Sequence, residues 1–262
     1  MSIVVCPLSI VPVRKDASDR SELVTQWLFG ETAEVLEQTA KWSRLRFDLD
    51  GYEGWVDNKQ MVAAPGALPI SAKRSIEPST SVDLGETQLL LPMGAVVEFP
   101  ERDGNMIHLH GNVKHTGRTT RDLQGSTTLR AMLMTRPFLG TPYLWGGRTP
   151  WGVDCSGFTQ MVYLLAGLQL PRDAYQQAEV GTTIELLDLA QPGDLAFFDN
   201  DEGRIVHVGF VLPGPDGEKF IVHASGMVRM DKLDQQGIFH LQEKRYTHKL
   251  RIVKRVTGKA ES

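Results

Sequence analysis

Cysteine is nearly absent from this chain: only Cys6 and Cys155 occur in 262 residues. Two thiols make at most one bridge, so a disulfide framework is excluded for a chain of this length. No run approaches the roughly 18 consecutive apolar residues that a helical membrane span requires. Excess positive charge is also lacking. The 28 Lys and Arg stand against 32 Asp and Glu, net −4, which removes the electrostatic footprint of a nucleic-acid binder. The opening stretch from Met1 to Arg14 has apolar residues with no basic segment ahead of them, so it does not read as a secretory leader. Read as a full-length chain, the protein is expected in the cytoplasm, away from membrane and nucleic acid, and as a monomer.

What is present is ordinary for a soluble globular protein: 41% hydrophobic and 23% charged residues. Residues 1–64 read as all-β, with short period-2 runs at Val11–Lys15, Ser21–Leu28, Ala33–Gln38, Trp42–Phe47 and Glu53–Val56, parted by Gly30, Asp50-Gly51 and Asp57-Asn58. About five short strands in so few residues predict a small barrel, which removes exposed edges by closing. Residues 65–116 begin as a Pro- and Gly-rich linker and continue with short strand-like runs, expected to form a second, degenerate barrel. His108, His110 and His115 cluster there, but no cysteine or acid stands at ligand spacing, so no metal site and no cofactor is expected.

Residues 117–262 change character. Thr127–Arg136 reads as a helix stopped by Pro137, and Phe158, Met161, Val162 and Leu165 repeat at the spacing of one buried helical face. Strand-like runs follow at Leu195–Phe198, Ile205–Leu212 and Phe220–Ala224, with a last one near 248–256. Helices first and an antiparallel sheet after predict an α+β domain.

The chemistry gathers where the glycine- and aromatic-rich loop 140–154 runs into that second helix. Cys155 stands at the junction with Asp154 before it as N-cap. A thiol there faces free N–H groups and the positive end of the helix dipole, which favour thiolate. A cysteine nucleophile needs a base and a group that orients the base. His207 and His223 lie in phase on adjacent strands and fit those roles if both face the helix. The N–H of Cys155 and the phenol of Tyr143 are candidate oxyanion donors. The competing readings are a buried structural cysteine, histidines on a wet strand face and a packing tyrosine.

Asp154-Cys155-Ser156-Gly157-Phe158, Gln191-Pro192-Gly193-Asp194-Leu195, His207-Val208-Gly209 and His223-Ala224 together resemble the NlpC/P60 family of papain-like cysteine peptidases, over about residues 125–255. Gly51-Tyr52-Glu53-Gly54-Trp55 near the end of the first domain resembles a bacterial SH3 domain. With Tyr143-Leu144-Trp145-Gly146-Gly147-Arg148 and Leu170-Pro171-Arg172-Asp173, the chain is similar to the γ-D-glutamyl-L-diamino acid endopeptidases of cell-wall recycling. The resemblance implies a papain-like α+β domain behind SH3-like barrels. Its implied substrates are murein tri- or tetrapeptides with a free N-terminal L-Ala. It makes Cys155 the nucleophile, His207 the base and His223 the third polar residue. Tyr143, Asp154, Ser156 and Asp173 would line the substrate pocket, with Glu31 and Tyr52 contributed by the first barrel. A free ammonium is best met by carboxylates, here Asp173 and Glu31. One position departs: Ala174 stands where relatives often carry serine. An exported wall hydrolase anchored by its SH3 modules, and a non-catalytic wall-peptide binder, are the alternatives.

Overall fold

The computed structural model describes residues 2–64, 66–67, 72–83, 88–98 and 117–256. Compactness divides the chain into two units: Met1–Leu123 with Trp145–Pro150, and Gln124–Leu144 with Trp151–Ser262.

In the first unit, β1 (Ile3–Val5), β2 (Ile10–Arg14), β3 (Leu23–Leu28), β4 (Thr32–Gln38), β5 (Trp42–Phe47), β6 (Glu53–Asp57) and β7 (Val62–Ala63) form one antiparallel sheet. Its order is β3-β2-β6-β5-β4-β1-β7. The sheet wraps as an SH3-like barrel around Val11, Val13, Trp27, Ala33, Leu45, Phe47 and Val56, the inward members of the alternating runs. Cys6 lies in the same core and is unbridged. β1 and β7 were not expected from the sequence, because two or three residues carry too little alternation to read. Beyond the barrel, β8 (Lys73–Arg74) pairs with β11 (Val96–Glu98), and β9 (Ser79–Asp83) with β10 (Gln88–Pro92). These two pairs are what the described part of 65–116 forms; His108, His110 and His115 lie outside the described residues. The short β12 (Arg148–Thr149) also belongs to this unit.

The second unit holds α1 (Thr127–Thr135), β13 (Gly152–Val153), α2 (Cys155–Leu165), α3 (Ala174–Gln177) and β14 (Thr182–Ile184). There follow β15 (Leu195–Asp199), β16 (Ile205–Pro213), β17 (Lys219–Ser225), β18 (Met227–Asp234), β19 (Gly237–His240) and β20 (Arg245–Arg255). The sheet runs β14-β20-β15-β16-β17-β18-β19, and β20 pairs with β19 as well, so β15 to β20 close into a ring. One face of these strands carries Ala196, Phe198, Val211, Ile221, Leu233 and Ile238 as a buried cluster. The other meets α2, with Tyr163 and Phe210 at a ring separation of 5.9 Å.

Asp154 caps α2, accepting from the Gly157 N–H at 2.7 Å. The helix ends at Gly167, whose φ of +95° lets the Leu168 N–H return to the Tyr163 carbonyl at 2.9 Å. The sequence indicated one buried face; all eleven residues of α2 are buried. Its polar side chains are met from within: Thr159 donates to Gln177 Oε1 at 2.7 Å and Gln160 to the Leu170 carbonyl at 3.1 Å. These bonds offset part of the cost of enclosing a helix on every side. Burying Phe158, Met161 and Val162 contributes about 1.5–3 kcal/mol each, which fixes the helix carrying the thiol.

Candidate active site

The tip of α2 is held by a buried network. Arg172 grips Asp154 through Nη2 to Oδ2 at 2.5 Å and Nη1 to Oδ1 at 3.0 Å, and its Nη1 also donates to Ser156 Oγ at 2.9 Å. Asp154 and Ser156, expected to line the substrate pocket, are both buried, and these bonds anchor the helix start. The N–H groups of Val208 and Ser156 lie close enough to the Cys155 sulfur to favour its charged form. The sulfur thus meets β16 one residue beyond His207.

Burial, and then the Asp154 carboxylate, push the Cys155 thiol up to about 12, against the N–H groups and Arg172. This corrects the expected ionised sulfur. A helix end contributes about 0.3–1 kcal/mol, too little to offset withdrawal from water at a residue only 7% exposed. The folded surroundings favour the thiol over the thiolate, so a nucleophilic role would require a base to take its proton.

His207 and His223 do come together. The register places His207 opposite Phe198 and His223 opposite Gly209, so both imidazoles lie on the Phe198 face, and His207 Nε2 is 2.8 Å from His223 Nδ1. A Cβ at Gly209 would stand 2.9 Å from the His223 Cβ, so only glycine lets the second histidine sit there. The expectation that both rings face the helix needs correction. The shaft of α2 packs on the Phe210 face, and the thiol reaches the strand at the helix tip instead.

Tyr143 is held by its N–H to the Gly226 carbonyl at 2.9 Å and bridges to Val153. Burial, followed by Cys155 and Asp154, raises its phenol, so it is a proton donor beside the sulfur. Asp173 is half-buried at the N-cap of α3. Glu31 and Tyr52 belong to the first unit. Tyr52 is half-buried against the barrel core. Glu31 is a correction: its carboxylate accepts from Arg74 Nη1 at 2.9 Å, Arg148 Nη1 at 3.1 Å, Arg148 Nη2 at 3.3 Å and the Leu28 N–H at 3.1 Å. A substrate ammonium would have to displace a guanidinium to reach it.

Three groups were not singled out in the sequence. His248 stacks on His207 with ring centroids 4.2 Å apart and planes at 22°. Asp231 lies 3.2 Å from His223 Nε2 and accepts from Arg229 Nε at 2.7 Å. Arg172 stands within the Leu170–Asp173 motif. Nothing local marks Asp231 or His248. Among the described residues no group of three or more His, Cys, Asp or Glu is arranged to hold a metal ion.

Burial holds His207, His223 and His248 below the ordinary histidine value, His248 at about 4. Their neighbours add to this for His207, whereas Asp231 opposes it at His223. A depressed folded value means that the unfolded chain takes up protons first as pH falls below about 6.5. Stability is therefore full above that value and is lost toward the folded values. Each of these histidines contributes at most about 1.4 kcal/mol per pH unit. Urea unfolding at pH 7.5 and 5.0 should show a lower midpoint at pH 5.0, and His248→Gln should shrink the difference. An unchanged midpoint would mean that the rings are charged in the native state.

A thiol at a helix tip, beside a strand that carries one of two hydrogen-bonded histidines, offers the groups that a cysteine hydrolase needs. Comparison with known proteins agrees. Residues 140–251 match the NlpC/P60 family, and residues 13–61 match the bacterial dipeptidyl-peptidase SH3 domain. The chain is 30% identical over 209 residues to the γ-D-glutamyl-L-lysine dipeptidyl-peptidase of Bacillus subtilis, spanning 72% of this chain and 69% of that protein. It is 26% identical over 235 residues to dipeptidyl-peptidase 6 of Lysinibacillus sphaericus, spanning 85% and 82%. A crystal structure of an NlpC/P60 family protein from Bacillus cereus shares the fold, with a TM-score of 0.71 and 18% identity over 97% of this chain and 99% of that one. The chain belongs to the NlpC/P60 family of cysteine peptidases.

Proposed function

We propose that this peptidase cleaves the bond between γ-D-Glu and a diamino acid in murein peptides that carry a free N-terminal L-Ala, and that it does so in the cytoplasm. The observation that carries the reading is the meeting of the Cys155 sulfur with β16 beside a coupled histidine pair. The names of the Bacillus and Lysinibacillus relatives support the choice of bond.

Cys155 Sγ attacks the γ-carbonyl carbon while His207 takes the thiol proton. The oxyanion is met by the Cys155 N–H and the Tyr143 phenol. His207 then gives the proton to the departing amine of the diamino acid, leaving a thioester on Cys155. Water, deprotonated by His207, cleaves the thioester and releases L-Ala-γ-D-Glu. Asp173 meets the substrate ammonium, a role Glu31 is too engaged to share. A peptide still joined to glycan has no such ammonium and leaves the carboxylate unmet. Only released peptides satisfy the site, which is the reason for the cytoplasmic assignment.

The test is cleavage of L-Ala-γ-D-Glu-diaminopimelate against its N-acetylated form, with Cys155→Ala as the blank. Acetylation should lower kcat/KM by at least about tenfold, the size of one unmet buried polar group. Equal rates would remove the ammonium specificity.

A further inference from the structure

Asp231 has no place in the reaction as written, yet its side chain is fully buried and every acceptor position on it is taken. Oδ2 accepts from Arg229 Nε at 2.7 Å and lies 3.2 Å from His223 Nε2; Oδ1 accepts from Arg229 Nη2 at 3.1 Å and from the Leu241 N–H at 3.0 Å. Three fixed N–H donors, two of them from the Arg229 guanidinium, favour the ionised carboxylate. Burial acts to raise Asp231, but the bonds from His223 and Arg229 outweigh it and hold the carboxyl below its usual range.

An acceptor-only neighbour dictates where the proton sits on the next ring. His223 must carry hydrogen on Nε2. Neutral imidazole has one N–H, so its Nδ1 is left with a lone pair. That Nδ1 stands 2.8 Å from His207 Nε2, which must then be the donor. His207 in turn keeps its lone pair on Nδ1, the ring nitrogen bonded next to Cβ and so nearer the backbone step whose Val208 N–H meets the sulfur. An imidazolium at His223 would break this chain. It is disfavoured because Arg229 already balances Asp231 and because burial depresses His223. The other ionisable groups near the pair are His248, stacked on His207, and His240, which lies near His223. Neither offers a hydrogen bond to the two rings.

We propose that Asp231 is a positioning residue that, through His223, sets the tautomer of both histidines and leaves the basic nitrogen of His207 at Nδ1. The proposal rests on the peptidase reading for its consequence, but the tautomers themselves are a property of the resting protein. Register explains why β18 supplies the residue. Arg229 pairs with His223 and Asp231 with Ile221, so residues 223, 229 and 231 share one face of the sheet. The arrangement matches the logic of a serine triad, in which a buried carboxylate fixes the imidazole one bond away. Here it acts two bonds away.

The deciding measurement is a long-range ¹H–¹⁵N correlation spectrum of histidine-labelled protein at pH 7.5 without substrate, with signals assigned by His207→Gln and His223→Gln. Both rings should show the Nε2–H pattern. An Nδ1–H or doubly protonated pattern at either ring overturns the proposal. In Asp231→Ala the preference at both rings should be lost. The kcat should fall about 10- to 100-fold with KM within about twofold. Wild-type tautomers or wild-type kcat in that variant also overturn it. Should the variant not fold, the wild-type spectrum decides alone. A failure of substrate cleavage with the expected spectrum would strike the peptidase reading and leave this one standing.

Discussion

Replacing Glu31 with glutamine should destabilise the first unit by about 3–5 kcal/mol, the cost of breaking a buried ion pair from one side. Glu31 is 5% exposed and, among the described residues, is the acid bound to two buried guanidiniums, Arg74 at 6% and Arg148 at 3%. Its ionisation is opposed by burial and restored by Arg148 and Arg74, which hold it below its usual range. Glutamine keeps the shape but leaves two cations facing each other in low dielectric. Arg74 would retain the Gly94 carbonyl at 2.7 Å, and Arg148 the Gln26 carbonyl at 3.0 Å, so the loss is partial. Domain stability is typically about 5–15 kcal/mol, which makes this a large fraction. Amide exchange in β2 to β6, with and without the substitution, measures it. The control is Glu53→Gln. Glu53 also meets two arginines, Arg44 and Arg46 at 3.1 Å, but on the surface, where the expected loss is below about 1 kcal/mol. Equal losses in the two variants would show that burial around Glu31 does not govern its contribution.

Arg172→Met is the second. It takes the guanidinium from the Asp154 carboxylate at 6% exposure and leaves it only neutral donors such as the Gly157 N–H, which should destabilise the second unit by about 3–5 kcal/mol. The same change should affect catalysis, because Asp154 caps α2 and already disfavours the Cys155 thiolate. Without Arg172 that effect is unopposed and the helix tip loses its anchor to Ser156. Small displacements of reacting groups lower rates by about 10²-fold, so kcat should drop by that order. Arg172→Lys should recover charge but not the two-pronged grip on Asp154, giving an intermediate in both urea midpoint and kcat. Wild-type kcat in Arg172→Met would show that Asp154 does not reach the sulfur electrostatically.

These two clusters illustrate what reading a chain in order leaves out. Strands β2 to β6 of the barrel, helices α1 and α2 and strands β15 to β17 could be placed from periodicity, because each depends on side chains within a few residues of one another. The Asp154 cap and the Cys155 junction were legible for the same reason. β18 and β19 were not expected. Asp231 stands inside β18 at a position that alternation would give to an apolar residue, and the apolar pattern fails there. Glu31, in a Gly-Glu turn, reads locally as a solvated residue; its partners are 43 and 117 positions away.

The amino-acid order alone determined which residue types were available for chemistry: one thiol at a helix start, histidines in phase on successive strands, and no disulfide framework. Tertiary structure alone decided their states. The sulfur favours the thiol form because folding removes it from water and places Asp154 beside it. His248 lies on His207 because β20 pairs with both β15 and β19. Ionisation and tautomer depend on burial and on partners far along the chain, and neither is a property of a local stretch of residues.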